Sequence, residues 1–374
     1  MRKLGSFATN PEFLSAKEYE DALSQLHLRI FRPLQPMLEE RECILIAPDG
    51  DLLLVSFAAL VYSGDRTFYE HHVFEHIFAA GDLLGSDGAF PPGSGLLTLG
   101  GPDFSSGTAS PAAFADGTYR ESRRAAATAE NETAPSLDKC PCRKIKTLEG
   151  SRRESEAVAA LWPGESQESS IVLVGSQATE ESFRRNAPGK RILHLATDGF
   201  VMGNVDAASG TAIPAVGEPE LLAQTREPIP ASGLCLAGSA ANRTEPMSEG
   251  NDGILTAEEV ANLNLEGCEL VVLSACMTGS GQAVSGEGMY GLARAFRLAG
   301  ARNVICAPWP VDDAATAEYM KHLLQVFFRR GTHNVGLTMR EAAETFSTDA
   351  QVRDLSYRPV HWGAFIAYGD GHPR

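Results

Sequence analysis

The sequence predicts an α/β fold whose mostly parallel sheet carries helices on both faces. Two observations predict it. First, 374 residues that are 43% hydrophobic and 21% charged make a soluble globular chain, long enough to bury a core in one large or two ordinary domains. Second, short apolar runs at 171–174, 192–196, 234–237, 270–273 and 304–307 are β-branched or bounded by Gly and Pro, as buried parallel strands are. Helical stretches at 154–161, 179–185, 256–263, 287–298, 314–328 and 335–346 separate or follow them, the alternation that builds a parallel sheet.

The elements before this region follow in order. Phe13, Leu14, Tyr19, Leu23, Leu26, Ile30, Leu34 and Leu38 recur at three-to-four spacing, so the first forty residues read as helical, with Pro33 and Pro36 breaking or kinking the run. Apolar residues 43–47 and 52–55 flank Pro48-Asp49-Gly50-Asp51, a hairpin signal in which Gly and Asp supply the positive-φ positions. The run Leu96-Leu97-Thr98-Leu99 ends in Gly100-Gly101-Pro102, where the composition changes. Residues 1–102 therefore form an N-terminal lobe, 103–152 an insertion and 153–374 a second lobe. The insertion has too few large apolar side chains to offset its ordering entropy and is expected to be mobile. It is also basic: between 120 and 153 nine Arg and Lys stand against five acids, suiting a solvated linker or a loop open to proteases or a partner.

Charge and segment lengths exclude several functions. With 48 acidic residues against 32 basic ones the net charge is −16, which repels nucleic-acid backbones and anionic lipid. The longest apolar stretch, 52–62, falls short of the ~20 residues that cross a bilayer. Arg2 and Lys3 precede no apolar segment of a signal peptide, so a cytoplasmic location is expected. Seven cysteines, at 43, 140, 142, 235, 268, 276 and 306, are an odd number lying mostly in apolar runs. They read as free buried thiols in a reducing compartment.

In open α/β folds, ligands sit beyond the carboxyl ends of the strands. Three such ends carry small polar loops: Thr197-Asp198-Gly199, Ser274-Ala275-Cys276-Met277-Thr278-Gly279 and Pro308-Trp309-Pro310-Val311-Asp312-Asp313. They are expected to converge, leaving Cys276 as a thiol at the sheet edge beside backbone N–H groups able to face a carbonyl oxygen. Two other patterns carry less. Gly286-Glu-Gly288-Met-Tyr-Gly291 fits G-x-G-x-x-G, but it starts 13 residues after Leu273 rather than in the turn directly after a strand, and Glu287 would oppose a pyrophosphate. His72-Val-Phe-Glu75-His76 has the inverted zinc-peptidase order; on a helix the two imidazoles could chelate, whereas on a strand they lie ~13 Å apart. Cys140-Pro-Cys142 has no second ligand pair nearby, and no G-x-S-x-G occurs. No cofactor is implied.

The ordered set Ile192-Leu-His194-Leu-Ala-Thr197-Asp198-Gly199-Phe200, Asp252-Gly-Ile-Leu-Thr-Ala-Glu-Glu259, Leu270 through Gly279, Gly286-Glu-Gly288 with Gly291-Leu-Ala-Arg-Ala-Phe296, Pro308-Trp-Pro-Val-Asp-Asp313 and Trp362-Gly-Ala-Phe365 resembles the CHAT domain. This is the caspase-related peptidase domain often joined to tetratricopeptide repeats. The 48–60 segment and Arg153-Glu154-Ser155-Glu156-Ala157 resemble it too, so only the insertion stands apart. The resemblance implies a caspase-like three-layer sandwich, with 1–102 its N-terminal lobe and 153–374 its peptidase lobe. It also implies a cysteine endopeptidase acting on proteins through a Cys–His dyad, with a separate regulatory or sensor protein as partner. Cys276 falls on the nucleophile, and the amides of Cys276 and Gly199 on the oxyanion hole.

One position departs from the family pattern. The second His of His-hydrophobic-Ala-Thr/Cys-His-Gly, which pairs with the thiol, is Asp198 here, while the first His survives as His194. A carboxylate raises a neighbouring thiol's pKa, and once ionised it cannot protonate a leaving amine. His194 lies four residues earlier, ~13 Å back along an extended strand. Met277 also replaces the usual Glu. The alternative function is therefore an inactive peptidase-derived binding or regulatory module, and a remoter one a zinc peptidase through His72 and His76. Asp312 and Asp313 either face a basic substrate side chain or cap the following helix.

Overall fold

The computed structural model describes residues 16–38, 40–63, 66–79, 82, 91–106, 142, 148–163, 170–201, 232–240, 251–277, 286–307, 313–330, 334–349 and 359–369. The chain runs α1 (Ala16–Ile30), α2 (Gln35–Leu38), β1 (Cys43–Ile46), β2 (Val61–Ser63), β3 (Arg66–Thr67), β4 (Val73–His76) and β5 (Leu96–Pro102). It continues α3 (Glu149–Leu161), β6 (Ser170–Gly175), α4 (Glu180–Asn186), β7 (Ile192–Ala196), β8 (Asp198–Val201), β9 (Ser232–Cys235), β10 (Ile254–Thr256), α5 (Ala257–Ala261), β11 (Leu270–Leu273) and β12 (Cys276–Met277). It closes with α6 (Gly286–Leu298), β13 (Val304–Cys306), α7 (Asp313–Arg330), α8 (Val335–Thr348), α9 (Pro359–Trp362) and β14 (Ile366–Tyr368). All but 142 and 148–152 of the 103–152 insertion beyond residue 106 lies outside the described residues.

Eight strands form the central sheet in the order β1-β4-β14-β13-β11-β7-β5-β6. Every neighbouring pair is parallel except β13 with β14. Strands from before residue 103 and after residue 152 share this one sheet, so the two lobes are interleaved. The period of two in each strand divides the core. Leu96, Ile192, Leu270, Val272 and Ile305 face a cluster with Val158 of α3, Tyr319 and Leu323 of α7, and Ala342 and Phe346 of α8. Leu97, Leu99, Leu193, Leu195, Val271 and Leu273 face Phe183 of α4, Val260 of α5, and Leu292 and Phe296 of α6. Three layers result. α3 lies so close on β5 that a Cβ on Gly100 would stand 2.1 Å from Ser155 Oγ and 2.3 Å from the Ser151 carbonyl oxygen.

Helix starts follow their side chains. Thr179 Oγ1 accepts from Ser182 N at the start of α4, and Asn334 Oδ1 from Leu337 N at α8. Thr256 and Glu259 form a reciprocal capping box at α5. Pro33 falls in the turn after α1, as expected of a residue that ends helices.

Three expectations are corrected. The 48–55 segment is no hairpin: Gly50 does take φ +56°, but Asp49 Oδ1 accepts from Gly50 N at 2.7 Å and the chain tightens into a 3-10 helix, Gly50–Leu54. β1 pairs instead with β4, in parallel. The 234–237 run contributes β9, which is not in the central sheet; β9 lies antiparallel between β8 and β10 in a second, four-stranded sheet. Nor are all the cysteines free, because Cys142 and Cys235 form a disulfide with Cα atoms 5.7 Å apart.

Glu180, in the first turn of α4, is fully buried beside Arg184 and Glu259, with Arg184 Nη2 2.5 Å from its Oε1 and 2.9 Å from Glu259 Oε1. Burial first, then the charge of Glu259, push its carboxyl from 4.5 up to about 8, with Arg184 opposing. The unfolded chain loses this proton near 4.5 while the folded chain keeps it, so this group weakens folding progressively from about pH 4.5 to 8. Glu180→Gln is expected to flatten that decline and to stabilise the protein at pH 8 by an amount on the order of a few kcal/mol. Thermal midpoints of both proteins from pH 5 to 8 check this; parallel slopes would refute it.

Candidate active site

The site forms where two strands of the central sheet hand the chain to the second sheet. β7 ends at Ala196, Thr197 turns, and the chain re-enters extended structure as β8. β11 ends at Leu273, Ser274 N donates to Leu195 O at 2.9 Å, and the chain re-enters as β12. β8 and β12 then pair in parallel, with Cys276 opposite Asp198 and Met277 opposite Gly199. Of the three loops expected to converge, those of Asp198 and Cys276 meet in register, on strands that lie about 4.8 Å apart in such a ladder, while 308–312 of the third lies outside the described residues.

A cleft opens at this pairing. Leu148, Gly150, Ser151 and Glu154 from α3 and the residue before it form one wall, Thr197, Asp198, Ser274 and Ala275 the strand ends, and Ala307, Thr316 and Phe365 the far side. Asp198 is 6% exposed and Glu154 4%, so two carboxylates lie nearly buried on one cleft. No histidine lines it among the described residues.

His194 faces the α3 side of the sheet and is fully buried. Its Nε2 lies 2.9 Å from Glu154 Oε1, while its Nδ1 has no hydrogen-bond partner. Its contact is thus with a wall of the cleft, through Glu154. Glu154 is the functional candidate that sequence reasoning missed. Its signal was its place on α3, one turn before the buried Val158, which sets an acid on the apolar stripe of the helix. Thr197 adds a second support, its Oγ1 donating to the Cys235 carbonyl at 2.6 Å.

α7 begins at Asp313, where an N-terminal acid is favourable; Asp312, the side chain of Asp313 and the 308–312 loop lie outside the described residues. The zinc-peptidase alternative is corrected. Val73–His76 is a strand, so His72 and His76 do not share a helix face. His72 Nδ1 lies 2.6 Å from Arg41 O, while His76 packs between Phe57 and Tyr368 with ring centroids 5.4 Å from each. Burial lowers the His76 pKa to about 4. No group of three potential metal ligands occurs among the described residues. Gly286-x-Gly288-x-x-Gly291 opens α6, but β12 intervenes after β11, so it is not a strand-to-helix phosphate turn.

The site is the carboxyl edge of a layered α/β sheet with Cys276 and Asp198 in register. The chain belongs to the CHAT domain family, whose profile matches residues 20–370. No curated protein sequence matches the chain. Among solved structures it is similar to the Arg specific cysteine proteinase gingipain R, at 8% identity and a TM-score of 0.43 over 98% of this chain and 69% of that one. It is also similar to the complex of Porphyromonas gingivalis RgpB pro- and mature domains, at 8% identity and a TM-score of 0.42 over 98% and 71%. No described helix is long and apolar enough to cross a membrane.

Proposed function

We propose that this CHAT domain is a peptidase-derived module that holds a segment of a protein partner in the cleft at Cys276 without efficient turnover. The observation that carries the reading is the register pair: Cys276 is opposed by Asp198, and no described histidine lines the cleft. A carboxylate beside a thiol disfavours the thiolate, and an ionised one has no proton for a leaving amine. The second reading, a working cysteine endopeptidase, is favoured by Gly199, which lies next to Asp198 and opposite Met277, at the position where the family resemblance sets one oxyanion amide beside that of Cys276. Under either reading the ligand is a peptide or protein.

The reactivity of Cys276 separates the two. Iodoacetamide modification of the Cys276 peptide in the intact protein, followed by mass spectrometry from pH 5.5 to 10, is expected to accelerate only above about pH 8.5. Fast modification near pH 6–7 would mark an activated thiol and overturn the non-catalytic reading. The peptide is resolved from those of Cys43 and Cys268, whose thiols burial pushes up to about 11 and about 12.

A further inference from the structure

The disulfide lies one residue behind the cleft. Cys142 and Cys235 are both fully buried, in a small apolar cluster with Phe104, Phe200 and Ile254. Phe200 belongs to β8 and follows Gly199, and its ring lies within 3.1 Å of where a Cβ on Gly233 would stand. Two cleft residues rest directly on this unit. Leu148 packs against the cluster and lines the cleft. Thr197, which precedes Asp198, donates its hydroxyl to the carbonyl of Cys235 itself. The bond therefore joins the chain entering α3, one cleft wall, to the sheet that carries the other.

We propose that Cys142–Cys235 is a reversible modification site that sets the shape of the cleft: oxidised, it fixes Leu148 against the Thr197–Asp198 turn; reduced, it releases them. The inference rests on the cleft being the functional site argued above, and it supplies that site with a mode of regulation. The step is thiol–disulfide exchange with a dithiol. A reductant thiolate attacks one sulfur, the S–S bond breaks, and a mixed disulfide forms. The reductant's second thiolate then displaces the other cysteine sulfur. The reductant ends as its own disulfide, having passed two electrons, and two protons from solvent complete the thiols of Cys142 and Cys235. With both sulfurs buried, attack waits on local opening of the cluster, so the switch is slow.

The three free cysteines among the described residues compete weakly for the bond. Burial, with Glu75 and Glu42 beside it, raises the Cys43 thiol to about 11, and burial raises Cys268 to about 12 and Cys306 well above its ordinary value. None of the three is a ready thiolate at neutral pH.

Hydrogen–deuterium exchange of the full chain, with and without dithiothreitol, tests the switch, with alkylation and mass spectrometry reporting the state of the two cysteines. Reduction is expected to speed exchange about tenfold or more in peptides covering 148–154 and 197–201, and to leave 270–273 and 304–306 unchanged. The Cys142→Ser, Cys235→Ser double variant is expected to show the fast pattern without reductant and no response to it. Equal exchange in both redox states would overturn the proposal, as would acceleration spread over the whole sheet. So would free Cys142 and Cys235 thiols in protein prepared without reductant. The readout needs no turnover, so an activated Cys276 thiol would defeat the non-catalytic reading alone, while an unresponsive cleft would defeat the switch alone.

Discussion

Asp198→His is expected to raise cleavage of a fluorogenic peptide pool by about 10²–10⁴-fold over the wild-type chain, the range that one placed acid–base group supplies. The position is already occupied by a residue in register with Cys276, so an imidazole there needs no rearrangement of the strands that carry the pair. As imidazolium it stabilises the thiolate, and it then carries the proton to the leaving amine, which an ionised Asp198 lacks. The alkylation profile of Cys276 is expected to move in step, its acceleration falling from above about pH 8.5 toward neutrality. Adding Cys276→Ala to Asp198→His is expected to abolish the gain. If the double variant cleaves as fast as Asp198→His alone, Cys276 has no part in the chemistry.

Glu154→Ala is expected to cost about 3 kcal/mol, because it removes the hydrogen-bond partner of a fully buried imidazole whose other nitrogen is already unpaired. A thermal midpoint lower by roughly 4 °C would register that loss in a chain of this length. Glu154→Gln keeps an acceptor oxygen at the same reach and is expected to recover most of it. Equal loss in both variants would show that the carboxylate's charge, not its hydrogen bond, supports His194. Because Glu154 also lines the cleft, the alanine variant is expected to loosen peptide binding in addition.

These two predictions rest on features of unequal legibility. Apolar runs and helical spacing located most of the central strands and the long helices, because a core-facing element must repeat its apolar residues at its own period. The meeting of the Cys276 and Asp198 loops followed from strand ends alone. Their pairing as β8 and β12 did not, since a two-residue strand is too short to show any period. β9 looked like its parallel neighbours because a Gly-bounded apolar run is the same string in either sheet. The hairpin failed at Asp49, whose side chain takes the Gly50 amide and turns the chain before a second strand can form. The disulfide joins residues 93 apart and leaves no local trace. The partner of His194 lies 40 positions away on another element, beyond any spacing rule.

The place of β14 sets the order in which the molecule can be completed. It is the last of the described strands along the chain, yet it sits between β4 and β13, joining Tyr368 to His76 on one side and to Val304 on the other. Until residues 366–368 have left the ribosome, the two halves cannot be zipped together. The nascent chain meanwhile presents two bare backbone borders that any stray extended segment can occupy. With β14 in place both of those borders are paired, and the hazard is confined to the interval before it docks.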